Sequence, residues 1–153
     1  MFIQHSVHIT RSIDACTEAL ESAAHTWYPG LIGGKDTLVG IHVAGVPLRK
    51  QVDVVFGTAV KEASWTSIPF TWKATGPAVL FPEMVGTVQL APVDPTVTRL
   101  TVNGMYSAPL GRIGQEIDRA VMHRVADATI KEITESMAQV IKGALSNAAP
   151  APA

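Results

Sequence analysis

Residues 2–10 alternate, with Ile3, Val7 and Ile9 on one parity and His5 among them, and the spacing predicts a strand. The period then changes. Ser12 is a helix-capping residue type, and Asp14 falls in the first turn, near the positive end of the helix dipole. Ile13, Cys16, Leu20, Ala23, Ala24 and Trp27 recur at helical spacing and form one apolar stripe. The segment "YPGLIGG" ends that helix, because three glycines and a proline fall within seven residues.

The middle of the chain returns to a period of two. Residues 38–45 and 48–57 read as strands split at Val46-Pro47, with Val52, Val54 and Phe56 alternating against Gln51 and Asp53. Residues 66–75 place Ile68, Phe70, Trp72 and Ala74 on one face and Thr71, Lys73 and Thr75 on the other. Pro69 has no N–H, which predicts an irregular start or an edge position for this strand. Residues 84–91 set Val88 and Leu90 against Thr87 and Gln89, and "PVDPT" reads as a turn. Residues 97–106 set Leu100, Val102, Gly104 and Tyr106 against Arg99, Thr101 and Asn103.

Short turns between successive strands predict a mostly antiparallel sheet, and its one-sided apolar pattern predicts a cover on one face only. The segment 111–145 is that cover. Ile113, Ile117, Val121, Val125, Ile133, Met137, Val140 and Ile141 keep helical spacing over roughly nine turns. Gly143 marks the approach of its end, and 146–153 reads as a disordered Ala/Pro tail. The expected organisation is one domain over 1–145, α+β in class, with a curved antiparallel sheet about a long C-terminal helix. A space between the two is a common place for an apolar ligand.

Composition sharpens this picture. The chain has 153 residues, of which 47% are hydrophobic and only 16% charged, so it has a filled core, an apolar cavity or a buried oligomer face. The formal charge is -1 without basic blocks, which argues against nucleic acid or an anionic membrane surface as partner. The single cysteine, Cys16, excludes an intrachain disulfide and reads as a small buried apolar residue. With no leader-like N-terminus and no run of membrane-spanning length, the expectation is a cytoplasmic protein, monomer or homodimer, that does not insert into membranes.

The element order resembles the helix-grip fold of the START-like (SRPBCC) superfamily, together with the phrases "IPFTWKATGPAVLFPEMVGTVQL" and "RLTVNGMYSAPLGRIGQEIDRAVMHRVADATI". The likeness covers about 2–145, and the phrases look like an actinobacterial-type branch. The superfamily includes Bet v 1-like proteins, polyketide cyclases and aromatases, and lipid-transfer domains. The resemblance implies six or seven strands wrapped around the C-terminal helix and a lipid- or polyketide-like ligand. It carries over no catalytic motif, since each branch furnishes its own cavity. The glycine-rich 28–34 segment departs from the second short helix usual in the family.

The junction "GMYSAPLGRIGQEIDR" at 104–119 lacks the Gly-Lys-Ser/Thr of a phosphate loop and the Gly-x-Ser-x-Gly of a nucleophile elbow, so it reads as a strand-to-helix corner. His5, His8, His25 and His42 show no metal-ligand spacing, and neither a cofactor nor a metal is expected. His123 and Asp127 form an i,i+4 pair. Arg124 flanks the apolar stripe, where it is either an anchor for a carboxylate or carbonyl or a solvated side chain paired with Asp127. Glu83, beside "LFP", is a candidate for a cavity rim. The aromatic residues on apolar parities are the better clue. The candidate ligand-binding set is Phe56, Trp72, Leu100, Tyr106, Ile117, Val121 and Arg124. Three readings follow: a container for a small hydrophobic or amphipathic molecule, which is favoured; a cyclase, aromatase or hydratase-type enzyme using Arg124, Tyr106, His5 and His42; or a filled-core interaction protein.

Overall fold

A computed structural model of the chain describes residues 1–22, 37–43, 46–74, 83–107 and 115–147; for 37–43, 46–54, 74, 107, 115–119, 121, 122 and 125 it describes the backbone alone. In chain order the elements are β1 (Phe2–Ile9), α1 (Ile13–Ser22), β2 (Thr37–Val43), β3 (Val46–Phe56), β4 (Val60–Lys61), β5 (Thr66–Ala74), β6 (Glu83–Asp94), β7 (Val97–Ser107) and α2 (Gln115–Asn147). All pairings are antiparallel, in the order β1-β7-β6-β5-β3-β2, with β4 pairing β5. The α+β class and the gripped helix expected from the pattern are present.

Register turns each parity into a face. Tyr106 lies opposite Met84, Met84 opposite Trp72, and Trp72 opposite Val54, making one cross-strand row on the inner face. The next inner row runs Ile3, Gly104, Gly86, Phe70, Phe56. Further along come His5, Val102, Val88 and Ile68, then Val7, Leu100, Leu90 and Thr66. The large inner side chains are buried, among them Trp72, Met84, Val88, Leu90, Leu100 and Val102. This is the period-two rule with one face covered.

Ser12 caps α1: its Oγ accepts from Ala15 N at 3.4 Å, and its carbonyl accepts from Cys16 N at 3.0 Å. Cys16, Thr17, Ala19 and Leu20 form the buried stripe of α1, while Ala23, Ala24 and Trp27 lie outside the described residues. Burial pushes the Cys16 thiol above its ordinary pKa, as suits an inert core position.

Helix α2 covers the inner face. Ile130, Ile133, Met137 and Ile141 are buried, joined by Ala126 and Ala138 and by the polar Thr129 and Thr134, which a purely apolar count would not include. Thr134 donates to the Ile130 carbonyl at 2.6 Å, which satisfies its buried hydroxyl inside the helix. The backbone of α2 comes close to β1 and β7 at one edge of the sheet and also to β2 at the other. The intervening β3, β5 and β6 make no comparable approach among the described residues. A sheet whose two edges both meet one helix must curve around it.

Three expectations are corrected. Val46 and Pro47 do not separate two strands; they begin β3 and pair with Val43 and His42 of β2. Pro69 is neither at the start of its strand nor at a sheet edge, because β5 is central. The Pro69 carbonyl accepts from Gly57 N at 2.7 Å, just where β3 has ended and β4 has not begun, so the missing N–H faces a gap in the neighbouring strand. Helix α2 runs past Gly143 to Asn147, so Ser146 and Asn147 belong to the helix and not to a tail; Ser146 Oγ donates to the Lys142 carbonyl at 2.9 Å. Residues 148–153 lie outside the described residues.

Candidate functional site

The candidate site is the inner end of the sheet where Tyr106, Met84 and Trp72 line up across three strands. Alternation puts these side chains inward, and all three are buried. The adjoining row keeps its centre thin. Gly86 and Gly104 face each other, and a Cβ on Gly104 would stand 2.6 Å from Met84 Sδ and 3.6 Å from Ile130 Cδ1. A Cβ on Gly86 would stand 2.7 Å from Phe70 Cζ. The two glycines thus let the Met84 and Phe70 side chains lie flat on the sheet, with Ile130 of α2 above. Phe70 in turn stacks obliquely against Phe56, ring centroids 6.0 Å apart at 51°.

Tyr106 carries the polar end of this wall. Its hydroxyl lies 3.1 Å from His123 Nδ1 and 3.1 Å from Met1 Sδ. One hydroxyl proton serves only one of them. With Nδ1 unprotonated the hydroxyl donates to the imidazole; with Nδ1 protonated the imidazole donates and the hydroxyl proton is released toward sulfur. Burial pushes the Tyr106 hydroxyl above its ordinary pKa, so the group is a neutral donor at physiological pH. The backbone beneath it is held by Met1, whose carbonyl accepts from Tyr106 N at 2.9 Å and whose amine donates to the Tyr106 carbonyl at 2.7 Å.

Among the buried side-chain oxygen and nitrogen atoms described, the Thr129 hydroxyl is the one without a hydrogen-bond partner. It sits on the flank of α2 that also carries Ala126 and Ile133, both buried, whereas Asp127 and Lys131 on the opposite flank are exposed. A buried hydroxyl left unpaired costs about 1–3 kcal/mol, so this position is unfavourable unless a polar group meets it.

The expected site residues divide accordingly. Trp72 and Tyr106 meet in one row, and half-buried Phe56 packs against the core one row away. Leu100 is fully buried but lies six residues along β7 from Tyr106, about 20 Å at strand rise, at the far end of the wall. Ile117 and Val121 lie in α2, with side chains outside the described residues. Arg124 is exposed and forms no ion pair with Asp127; His123 likewise bonds Tyr106 and not Asp127. His5 is half-buried on the inner parity, and His42 pairs with Pro47 in β2. Glu83 stands exposed on the outer parity, 3.7 Å from Lys73, and not on the inner wall. Among the described residues no three His, Cys, Asp or Glu converge as metal ligands. The residues missed were Met84, Phe70 and His123. Met84 shares the parity of Val88 and Leu90, which was the available signal; nothing local marks His123 as a partner of Tyr106.

No protein-family model matches the sequence, and no curated protein matches it. Solved structures do. The chain is similar to norcoclaurine synthase from Thalictrum flavum in complex with dopamine and hydroxybenzaldehyde, with TM-score 0.57 and 12% identity over 99% of this chain and 89% of that one. It is similar to a conserved protein from Geobacillus kaustophilus, with TM-score 0.54 and 15% identity over 94% and 96% of the two chains. It is also similar to the Zhui aromatase/cyclase of a Streptomyces species, with TM-score 0.51 and 13% identity over 99% and 96%. At these identities the likeness is one of fold: the chain has the helix-grip fold of these structures, a curved antiparallel sheet around a long C-terminal helix. No helix among the described residues is long and apolar enough to cross a membrane.

Proposed function

We propose that the protein binds a small hydrophobic or amphipathic molecule between the sheet and α2. The observation that carries this reading is the Trp72–Met84–Tyr106 row. It presents aromatic and sulfur surface, with Trp72 and Met84 on β5 and β6, which the helix backbone does not approach closely, and it ends in the neutral hydroxyl of Tyr106. The flat apolar surface suits rings or an acyl chain. Tyr106 Oη and the unpaired Thr129 hydroxyl suit one or two polar atoms on the same molecule. Lipids and polyketide-like compounds have this character. Thermal unfolding in the presence of fatty acids, sterols and aromatic polyketides tests the reading. Binding to the native state raises the midpoint with ligand concentration, and a flat response to every class contradicts it.

The Tyr106–His123 pair favours a second reading, an enzyme of cyclase, aromatase or hydratase type. A neutral phenol bonded to an exposed imidazole is a competent general acid with a path for its proton, and a wall that fixes a reactive chain supplies orientation. Turnover of a bound ligand that is abolished in Tyr106→Phe, with binding retained, distinguishes this reading from simple carriage.

A further inference from the structure

The polar end of the inner wall is built around one hydroxyl that faces two partners of unequal strength. Met1 exchanges both backbone bonds with Tyr106, so its side chain continues the inner row of Tyr106, Met84 and Trp72, and it is 52% exposed. Its thioether sulfur, 3.1 Å from Tyr106 Oη, is a weak acceptor on an unbranched, adaptable side chain. A ligand oxygen is a stronger acceptor and takes the sulfur's place when the methionine swings out. His123 Nδ1, also 3.1 Å from Oη, decides whether the hydroxyl proton is available there. With Nδ1 bare, the proton is committed to the imidazole, and Oη offers only lone pairs to whatever replaces the sulfur. In the imidazolium, Nδ1–H donates to Oη, and the hydroxyl donates outward. A neutral imidazole reaches that second arrangement only as its Nδ1–H tautomer, without the charge that makes such a bond about twice as strong.

We propose that His123 is a specificity-determining residue of this site: protonated, it turns Tyr106 into a donor for a carbonyl or other acceptor oxygen in the position of the Met1 sulfur. The inference rests on the reading above that the ligand's polar end meets Tyr106. Histidine is the side chain that changes charge between about pH 5 and about pH 8, so acceptor-headed ligands are held in acid and released as the pH rises. The sign follows from linkage: a ligand that prefers the protonated pair draws a proton onto it. A ligand hydroxyl donates or accepts, so it bonds Oη in either state and has no such dependence. His123 is exposed and exchanges protons with solvent, while burial holds the Tyr106 phenol neutral. The charged groups around the pair do not compete for it. Along α2, Arg124 is adjacent and Asp127 one turn on, both exposed, and among the described residues His123 forms no ion pair. Arg119, one turn earlier, has its side chain outside the described residues. Ahead of β1, the Met1 amine donates to the Tyr106 carbonyl, and Lys73 and Glu83 of β5 and β6 lie on the outer face.

Calorimetric titration of the full chain with matched ketones and alcohols tests this. One pair is methyl nonyl ketone and undecyl alcohol; the other is androstanedione and androstanediol. Within a pair the apolar body is alike, so the ratio of the two affinities reports the polar end alone and cancels any general effect of pH on the fold. The expected result is a preference for the ketone that rises about fivefold from about pH 8 to about pH 5. In His123→Gln, where the side chain is neutral at every pH, binding persists and the ratio is the same at both ends. In Tyr106→Phe the ratio is also flat. Circular dichroism at both pH values establishes that each protein is folded. A wild-type ratio that does not move with pH overturns the proposal and leaves ligand carriage standing, as does a shift that survives in His123→Gln. Failure of all four compounds to bind at either pH overturns the proposal together with the reading it rests on.

Discussion

The hydroxyl of Tyr106 lies 3.1 Å from Nδ1 of His123, which ties the last strand to the long helix at the end of the inner wall. Tyr106→Phe keeps the ring in its row and removes only the hydroxyl. Since His123 is exposed and water replaces the lost partner, the expected stability cost is about 1 kcal/mol, read from urea unfolding. Affinity for an amphipathic ligand falls further than stability does, because a buried polar contact is lost without replacement. Equal affinity for wild type and variant contradicts the placement of the ligand's polar group.

Thr129 separates stability from binding with opposite signs. Valine matches threonine in shape and has no hydroxyl to leave unpaired, so Thr129→Val raises the unfolding free energy of the ligand-free protein by about 1 kcal/mol or more. The same variant binds the ligand more weakly. A variant that is destabilised, or that binds as well as wild type, shows that the hydroxyl has no part in the site.

The facing glycines of β6 and β7 are not equivalent. A Cβ at Gly104 meets the end of a flexible methionine, whereas a Cβ at Gly86 would stand 2.1 Å from the Asn103 carbonyl oxygen as well as against the Phe70 ring. Backbone cannot rotate aside. Gly86→Ala therefore costs about 1–3 kcal/mol by overpacking, and Gly104→Ala costs clearly less. Chemical denaturation of the two variants side by side checks the order.

Much of this architecture was legible in the alternation. The inner parity of β5 and β7 and the inward Cys16 follow from periods of 2 and 3.6 without reference to distant residues. What was not legible depends on the neighbour. Pro69 looked like an edge marker because its tolerance comes from the interruption between β3 and β4, a property of another strand. Gly143 looked like a helix end because its sequence does not show that the helix keeps packing through Ile141 and on to Leu145. Of the candidate site, Trp72 and Tyr106 could be read from parity. Their junction through Met84 required the register of three strands, and the approach of His123 required the path of α2. Arg124 could not be separated from a solvated arginine by helical spacing, and it stands exposed.

Glu132 gives a pH test of how α2 packs. Desolvation first, and then the charge of Glu135, hold its carboxyl above the usual range. A carboxyl with a raised pKa in the fold contributes its full stability below the unfolded-state value of about 4.3, and that contribution is lost as pH rises through the folded value. At neutral pH the ionised Glu132 therefore weakens the fold. Glu132→Gln melts at a higher temperature than wild type at pH 7, and the difference closes below about pH 4. A difference that persists or reverses in acid contradicts the assignment.

Native mass spectrometry of the protein as purified from cells tests the central claim most directly. The account predicts a one-to-one complex with an apolar molecule bearing one or two polar groups, released on unfolding and much reduced in Tyr106→Phe. Protein that carries nothing, and that takes up no member of a broad set of fatty acids, sterols and aromatic polyketides offered in excess, would contradict it.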